Sequence, residues 1–258
     1  MKLAIVFLFA LYTTFNFSQD INSTIQVEYE LFNNTDVPTK LYATLYATND
    51  ISIYVEKYST IQKWEERENS PKVAGLDFNI SQSYFDPILK IDRTKKEILF
   101  FDELNNNNFY LIEDNYHKFD WIVSAERKTI ANFICTKAST IYRGRKWIAW
   151  FSSDISIPVG PWKLHGLPGL ILEAYDTTER YTMRAVKVEY TKNEILNKEF
   201  TSLMVTKNSK PISYQQYLAD REESIENMYK KLSQERNLSI TREKAPRNGM
   251  ELKYEWEE

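Results

Sequence analysis

One cysteine, two histidines and six glycines in 258 residues exclude several common chemistries at the outset. Cys135 is alone, so no internal disulfide can staple the fold. His117 and His165 are the whole histidine supply. No Gly-x-Ser-x-Gly elbow, His-x-x-x-His pair or Cys-x-x-Cys pair occurs, so neither a familiar nucleophile nor a metal site is written in the chain. We expect no metal and no cofactor. With so few glycines, tight turns must fall mostly to Asn, Asp and Pro. Basic patches interleaved with aromatics are lacking and the net charge is −3, which argues against nucleic acid as a partner. Beyond residue 12 no apolar run approaches the ~20 residues of a spanning helix.

What is present begins with a leader. Met1-Lys2 is a short positive start, Leu3 to Tyr12 is uninterrupted apolar chain, and Ser18 is a small residue at a plausible cleavage point. We expect residues 1–18 to be a signal peptide and the mature protein to be exported, either periplasmic or associated with the outer membrane. No Cys lies near the cleavage point, which excludes acylation there. A secreted domain of this length can hold together by core burial alone.

Aromatic residues are plentiful, with 17 Tyr and 14 Phe, and they suit half-buried pleated surfaces. Apolar residues alternate at Ile25, Val27, Tyr29 and Leu31, and again from Leu41 to Ala47 and from Ile51 to Val55. Asn49-Asp50 between the latter two reads as a tight hairpin, since both residues tolerate positive φ. Residues 56–83 lose the alternation and read as a variable excursion. Further strands are predicted at Tyr84–Ile91, Glu97–Phe101, Phe109–Glu113, Phe119–Val123, Lys128–Cys135, Ala138–Arg143, Arg145–Phe151, Gly169–Tyr175 and Tyr181–Tyr190. Strands this closely spaced leave no room for crossover helices, so the sheet should be antiparallel.

One segment has helical spacing. Ser213 can cap it, Gln216 can reach back, and Ile212 and Tyr217 occupy the staple positions. Tyr217, Leu218, Ile225, Met228, Tyr229 and Leu232 then form an apolar stripe. The domain organisation is therefore a leader at 1–18, one β-rich domain at 19–236, and a polar, charged tail at 237–258. The fold class is mainly β: a curved antiparallel sheet or half-barrel with one C-terminal amphipathic helix.

Residues 158–169, Pro-Val-Gly-Pro-Trp-Lys-Leu-His-Gly-Leu-Pro-Gly, gather three of the six glycines and three of the eight prolines. Neither a regular strand nor a helix accommodates such a stretch, so it should be a rigid corner. The string Gly166-Leu167-Pro168-Gly169-Leu170-Ile171 resembles the signature of the GLPGLI family. Its companions Gly144-Arg145, Trp147-Ile148-Ala149-Trp150-Phe151 and Gly160-Pro161 match that family too, over roughly residues 120–176. The resemblance implies an exported protein of the Bacteroidota cell envelope without an established activity, and it supplies no catalytic residues.

The strand at 145–151 carries bulky aromatics on both faces, which fits a central strand. It also allows an apolar groove with Trp150 and Trp162 at its mouth, near His165, where Arg143 and Arg145 would meet an anionic head group. We expect a non-enzymatic binding or accessory protein for an apolar or peptide-like ligand, or for an outer-membrane protein partner. Two alternatives stand beside it. A hydrolase would show a cleft with convergent carboxylates or His165 against a carboxylate. A structural or assembly factor would show a filled core.

Overall fold

A computed structural model describes residues 23–63, 86–104, 108–192, 210–236 and 246–257. The leader and residues 64–83 of the excursion lie outside these. The described residues form twelve strands: β1 (Ser23–Asn33), β2 (Thr39–Ala47), β3 (Ile51–Lys63), β4 (Ile88–Asp92), β5 (Glu97–Leu104), β6 (Asn108–Asn115), β7 (Ile122–Ile130), β8 (Phe133–Tyr142), β9 (Arg145–Ser152), β10 (Leu170–Asp176), β11 (Tyr181–Lys192) and β12 (Ile212–Ser213). Among the described residues a helix, α1 (Tyr214–Arg236), follows. All twelve strands belong to one open sheet in the order β12-β6-β5-β4-β3-β2-β1-β11-β10-β9-β8-β7. The architecture is mainly β with one C-terminal helix, as the alternation predicts. The pairings are antiparallel except β6 with β12, which is parallel.

The inner face holds the main core. Ile25, Val27, Tyr29 and Leu31 of β1 and Leu41, Ala43, Leu45 and Ala47 of β2 are fully buried and lie opposite one another. The Tyr29 hydroxyl donates to the Ile171 carbonyl of β10 at 2.7 Å, over the intervening β11, a reach that the bending of the sheet allows. A second, smaller cluster (Ile53, Val55, Ile88, Leu99, Phe101 and Leu111) is buried on the outer face of β3–β6. β9 and β10 are buried on both faces, as a central position requires.

Several expectations need correction. The hairpin at Asn49-Asp50 forms, but neither residue has positive φ. Instead the Thr48 hydroxyl accepts the amides of Asp50 and Ile51, at 3.3 and 3.2 Å. β3 continues to Lys63, well into the segment read as an excursion. Lys128–Cys135 is not one strand: Ala131 and Asn132, both at positive φ, form a two-residue turn between Ile130 and Phe133. That pattern marks a type I′ hairpin, and nothing in Ala-Asn announces it as Asn-Gly would. Residues 116–121 are a crossing segment rather than the start of a strand. Gln216 does not reach back to complete a capping box; its amide binds Asp220 at 2.6 Å, while the Ser213 hydroxyl does cap the helix. α1 docks through its first turns, at Tyr217 and Leu218, and Met228 further along is 51% exposed.

The largest correction concerns the polar tail. Residues 246–257 are packed on the sheet, with Glu251 and Tyr254 buried. The amides of Leu252 and Lys253 both donate to the Arg143 carbonyl, at 2.8 and 3.0 Å. Arg143-Gly144 forms a second two-residue turn with positive φ at both positions, and a Cβ on Gly144 would sit 3.2 Å from Leu252 Cβ.

Candidate functional site: a cavity on the inner face

The Pro-Gly stretch is a tightly bonded corner, as its composition suggests. The Gly166 amide donates to the Pro158 carbonyl, Leu170 to Ile155 and Ile171 to Val159, at 2.8–3.0 Å. Val159, Leu164 and Leu167 are buried beneath it. Trp121 Nε1 on the crossing segment donates to the His165 carbonyl at 2.9 Å. The space at the corner is filled: a Cβ at Gly160 would fall 2.7 Å from Ile171 Cβ. At the tip the Leu164 amide closes on the Pro161 carbonyl, and Trp162 takes positive φ. This geometry projects Trp162 and Lys163 toward the far half of the sheet.

There they meet β5, β6, α1 and the C-terminal segment in a buried ionic cluster. Lys163 Nζ donates to Asp114 Oδ2 at 2.6 Å and Glu251 Oε1 at 2.9 Å. Arg143 donates to both oxygens of Asp114, at 2.6 and 2.9 Å, and to Glu251 and Glu255. The rings of Tyr142, Tyr214, Tyr254 and Trp256 surround its guanidinium. Burial alone would raise the Asp114 carboxyl, but Lys163 and Arg143 outweigh it and hold the group below the usual range.

Beside this cluster lies a cavity of about 860 Å³. Tyr54, Glu56 and Tyr58 alternate along β3 and form one wall, continued by Leu89, Phe100 and Asp102. Trp162 and Lys163 form the second wall. Tyr214, Leu218, Arg221 and Ile225 of α1 and Met250, Glu251 and Tyr254 of the C-terminal segment complete it. Burial, reinforced by the neighbouring Asp102, pushes the Glu56 carboxyl up to about 7. Burial raises Asp102 as well, against the Tyr217 hydroxyl (2.7 Å) and the Glu103 amide (2.8 Å), whose hydrogen bonds it accepts. The cavity is thus lined by aromatic and aliphatic side chains interspersed with charged ones, among them the carboxylates of Glu56, Asp102, Glu222 and Glu251. Sites of this size and character hold small molecules.

Of the candidate site residues named from sequence, only Trp162 lines the cavity. Trp150 and Trp162 are not brought together. On β9, Trp147 shares a face with Trp162 (ring centroids 5.6 Å apart), whereas Trp150 points the other way, beneath Lys128 at 4.4 Å. The two-residue period of a strand sets this separation, since Trp147 and Trp150 are an odd number of residues apart. Arg143 and Arg145 do not wait for an anion. Arg145 is bound to Asp176 at 2.6 Å and to the carbonyls of Asn248 and Gly249. His165 is buried among Tyr116 and Phe119, its Nδ1–H donates to the Lys163 carbonyl at 2.8 Å, and burial lowers its pKa to about 4. No carboxylate partners it among the described residues. Gly160, Pro161, Gly166, Leu167, Pro168, Gly169, Leu170 and Ile171 shape the corner and stay out of the cavity wall.

Sequence reasoning misses the residues that matter most here. Tyr54, Glu56 and Tyr58 extend the alternation of β3, but a carboxylate between two tyrosines on the inner face inverts the usual apolar pattern. Among the described residues no three His, Cys, Asp or Glu side chains are grouped as a metal site would need, and no helix is long and apolar enough to cross a membrane.

Neither the family models nor the curated proteins contain a match to this chain. Among solved structures it is similar to PNGF-II, seen in two crystal forms, with TM-scores of 0.55 and 0.53 and 19% identity. The likeness covers 78% of this chain but only 33–34% of PNGF-II, so the chain spans about a third of that protein's length. It shows a shared fold. An uncharacterized conserved protein from Thermus thermophilus (TM-score 0.37, 9% identity, 74% of this chain and 91% of that one) is more remote. So is an outer membrane lipoprotein-sorting protein domain from Vibrio parahaemolyticus (TM-score 0.26, 7% identity, 72% and 92%).

Proposed function

We propose that this is an exported, GLPGLI-like envelope protein whose inner-face cavity binds an apolar or peptide-like ligand. The observation that carries the reading is the cavity itself: about 860 Å³, walled by aromatic and aliphatic side chains interspersed with charged ones, on an otherwise well-filled core. A purely structural or assembly role calls for no such space. The Gly-Pro corner serves the site indirectly, by fixing the tip that carries Trp162 and Lys163. Native mass spectrometry of protein purified from the envelope tests the proposal. A co-purifying species should appear with the parent protein and be reduced in Leu218→Trp, which intrudes on the cavity. If the parent carries nothing under gentle desolvation, the binding role fails.

A second reading has one specific observation behind it. Glu56 and Asp102 face the same cavity, and Glu56 holds its proton near neutrality, the arrangement by which paired carboxyls divide acid and base roles in hydrolysis. Under that reading the species released from Glu56→Gln would be an intact substrate, while the parent would release its cleaved product. Identical masses from both proteins would leave binding as the function.

A further inference from the structure

The charge inside the cavity is unequally compensated, and this narrows the class of ligand. Three of the lining cations lie close to carboxylates of the protein. Lys163 is held by Asp114 and Glu251, and Arg247 is bound by both oxygens of Glu257. Arg221 is exposed at the rim, where Asp102 feels its charge. Glu251 is satisfied by Arg143, Lys163 and the Tyr214 hydroxyl. Glu56 differs: among the described residues its carboxyl has neither an ion pair nor a hydrogen bond. Beside it Tyr54 is 3% exposed, and its hydroxyl has no partner. Glu56 is half-buried and Tyr54 buried; an unpaired carboxyl facing the cavity and a buried phenol without a partner both gain from a ligand that satisfies them.

We propose that the cavity selects amphipathic ligands bearing a protonated amine, with Glu56 as the counter-charge, Tyr54 as a hydrogen-bonding neighbour, and Tyr58 as a ring face for the cation. The proposal rests on the binding function above and names its ligand class. Aromatic faces attract cations, and do so more strongly away from water. The apolar part of the ligand has Leu89, Leu218 and Ile225 to lie against. A carboxylate or phosphate ligand would meet Glu56 and Asp102 at close quarters and be repelled. A neutral ligand would leave Glu56 uncompensated.

The test is a titration of the full chain with dodecylamine, dodecanol and dodecanoate at about pH 8, where Glu56 is ionised in the empty site. Binding is read as a change in tryptophan emission, to which Trp162 in the wall contributes. Dodecylamine should bind at least about tenfold tighter than dodecanol, equivalent to ~1.4 kcal/mol. The ratio should fall to about one in Glu56→Gln and survive in Glu56→Asp, which keeps the charge. Equal affinities for amine and alcohol, a preference for dodecanoate, or a ratio untouched by Glu56→Gln would overturn the amine proposal while leaving a binding cavity in place. Failure of all three probes to bind would overturn the binding function itself.

Discussion

Arg143 and Asp114 form a buried bidentate ion pair between the turn after β8 and strand β6, which stand near opposite ends of the sheet order. The two ends of an open sheet are thereby tied by side chains instead of backbone hydrogen bonds. Lys163 from the corner and Glu251 from the C-terminal segment complete the clasp. Lys163 and Glu251 also line the cavity, so the closure of the fold and the shape of the site depend on one cluster.

Removing one member should therefore be severe. Arg143→Ala leaves Asp114 and Glu251 buried with only Lys163 between them. Losses of about 3–5 kcal/mol are usual when a buried pair is broken this way. Urea unfolding should show that loss, and limited proteolysis should show cleavage within 246–257 under conditions where the parent resists. A loss below ~1 kcal/mol, the ordinary worth of an exposed pair, with the segment still protected, would mean the clasp does not hold the sheet ends together.

The glycines of the corner should differ sharply in their tolerance of a methyl group. Gly169 lies at φ +156°, and a Cβ there would collide with the Ser152 carbonyl, part of the backbone of β9. Gly166 is at φ +89° with open space around the missing Cβ. Gly166→Ala should cost only the conformational strain, about 1 kcal/mol. Gly169→Ala adds an overpacking penalty of about 1–3 kcal/mol. Thermal unfolding of the two variants gives the order directly, and a smaller loss for Gly169→Ala would contradict the packing described.

Half-buried Glu56 and buried His165 give stability opposite dependences on pH. Glu56 titrates near 7 in the folded protein against 4.5 as an ordinary side chain. Across that window the folded state keeps a proton the unfolded chain has released, so this contribution is present at low pH and lost as pH rises, by ~1–3 kcal/mol. His165 behaves the other way. Its pKa is lowered to about 4 from 6.5, so the unfolded chain takes up the proton first, and stability falls as pH drops through that range. Unfolding free energies measured from about pH 4 to pH 8 should show Glu56→Gln gaining on the parent toward the alkaline end. His165→Gln should lose the acid-side decline. Parallel curves for parent and Glu56→Gln would mean the carboxyl is not desolvated.

Cys135 should be chemically silent. It is fully buried on β8, and burial pushes its thiol up to about 11. Attack on a disulfide reagent requires the thiolate, so labelling by 5,5′-dithiobis(2-nitrobenzoate) at about pH 8 should be negligible in the native protein and complete in denaturant. Rapid native labelling would place the thiol at an accessible surface.

Much of the sheet is legible in the sequence because alternation is a local signal. The odd positions of β1 and β2, the burial of β9 on both faces and the Ser213 cap all follow from a few consecutive residues. The hairpin at Ala131-Asn132 is not legible, since its φ values are imposed by the pairing of β7 with β8 and not by strong turn formers. The docked C-terminal segment escapes notice for a related reason. Glu251 and Glu255 look like solvated charges until Arg143, 108 and 112 residues away, is placed beside them.

By itself the sequence determined the strand content, the capped helix and the stiffness of the proline-glycine corner, because each depends on backbone preferences and side-chain periods within a short span. Only the tertiary structure decided that the sheet ends are tied through Arg143 and Asp114, that Trp150 and Trp162 lie on opposite faces, and that Glu56 looks into a cavity. Those outcomes depend on which distant residues the bending of the sheet brings within ion-pair distance, and on which charges it leaves without a partner.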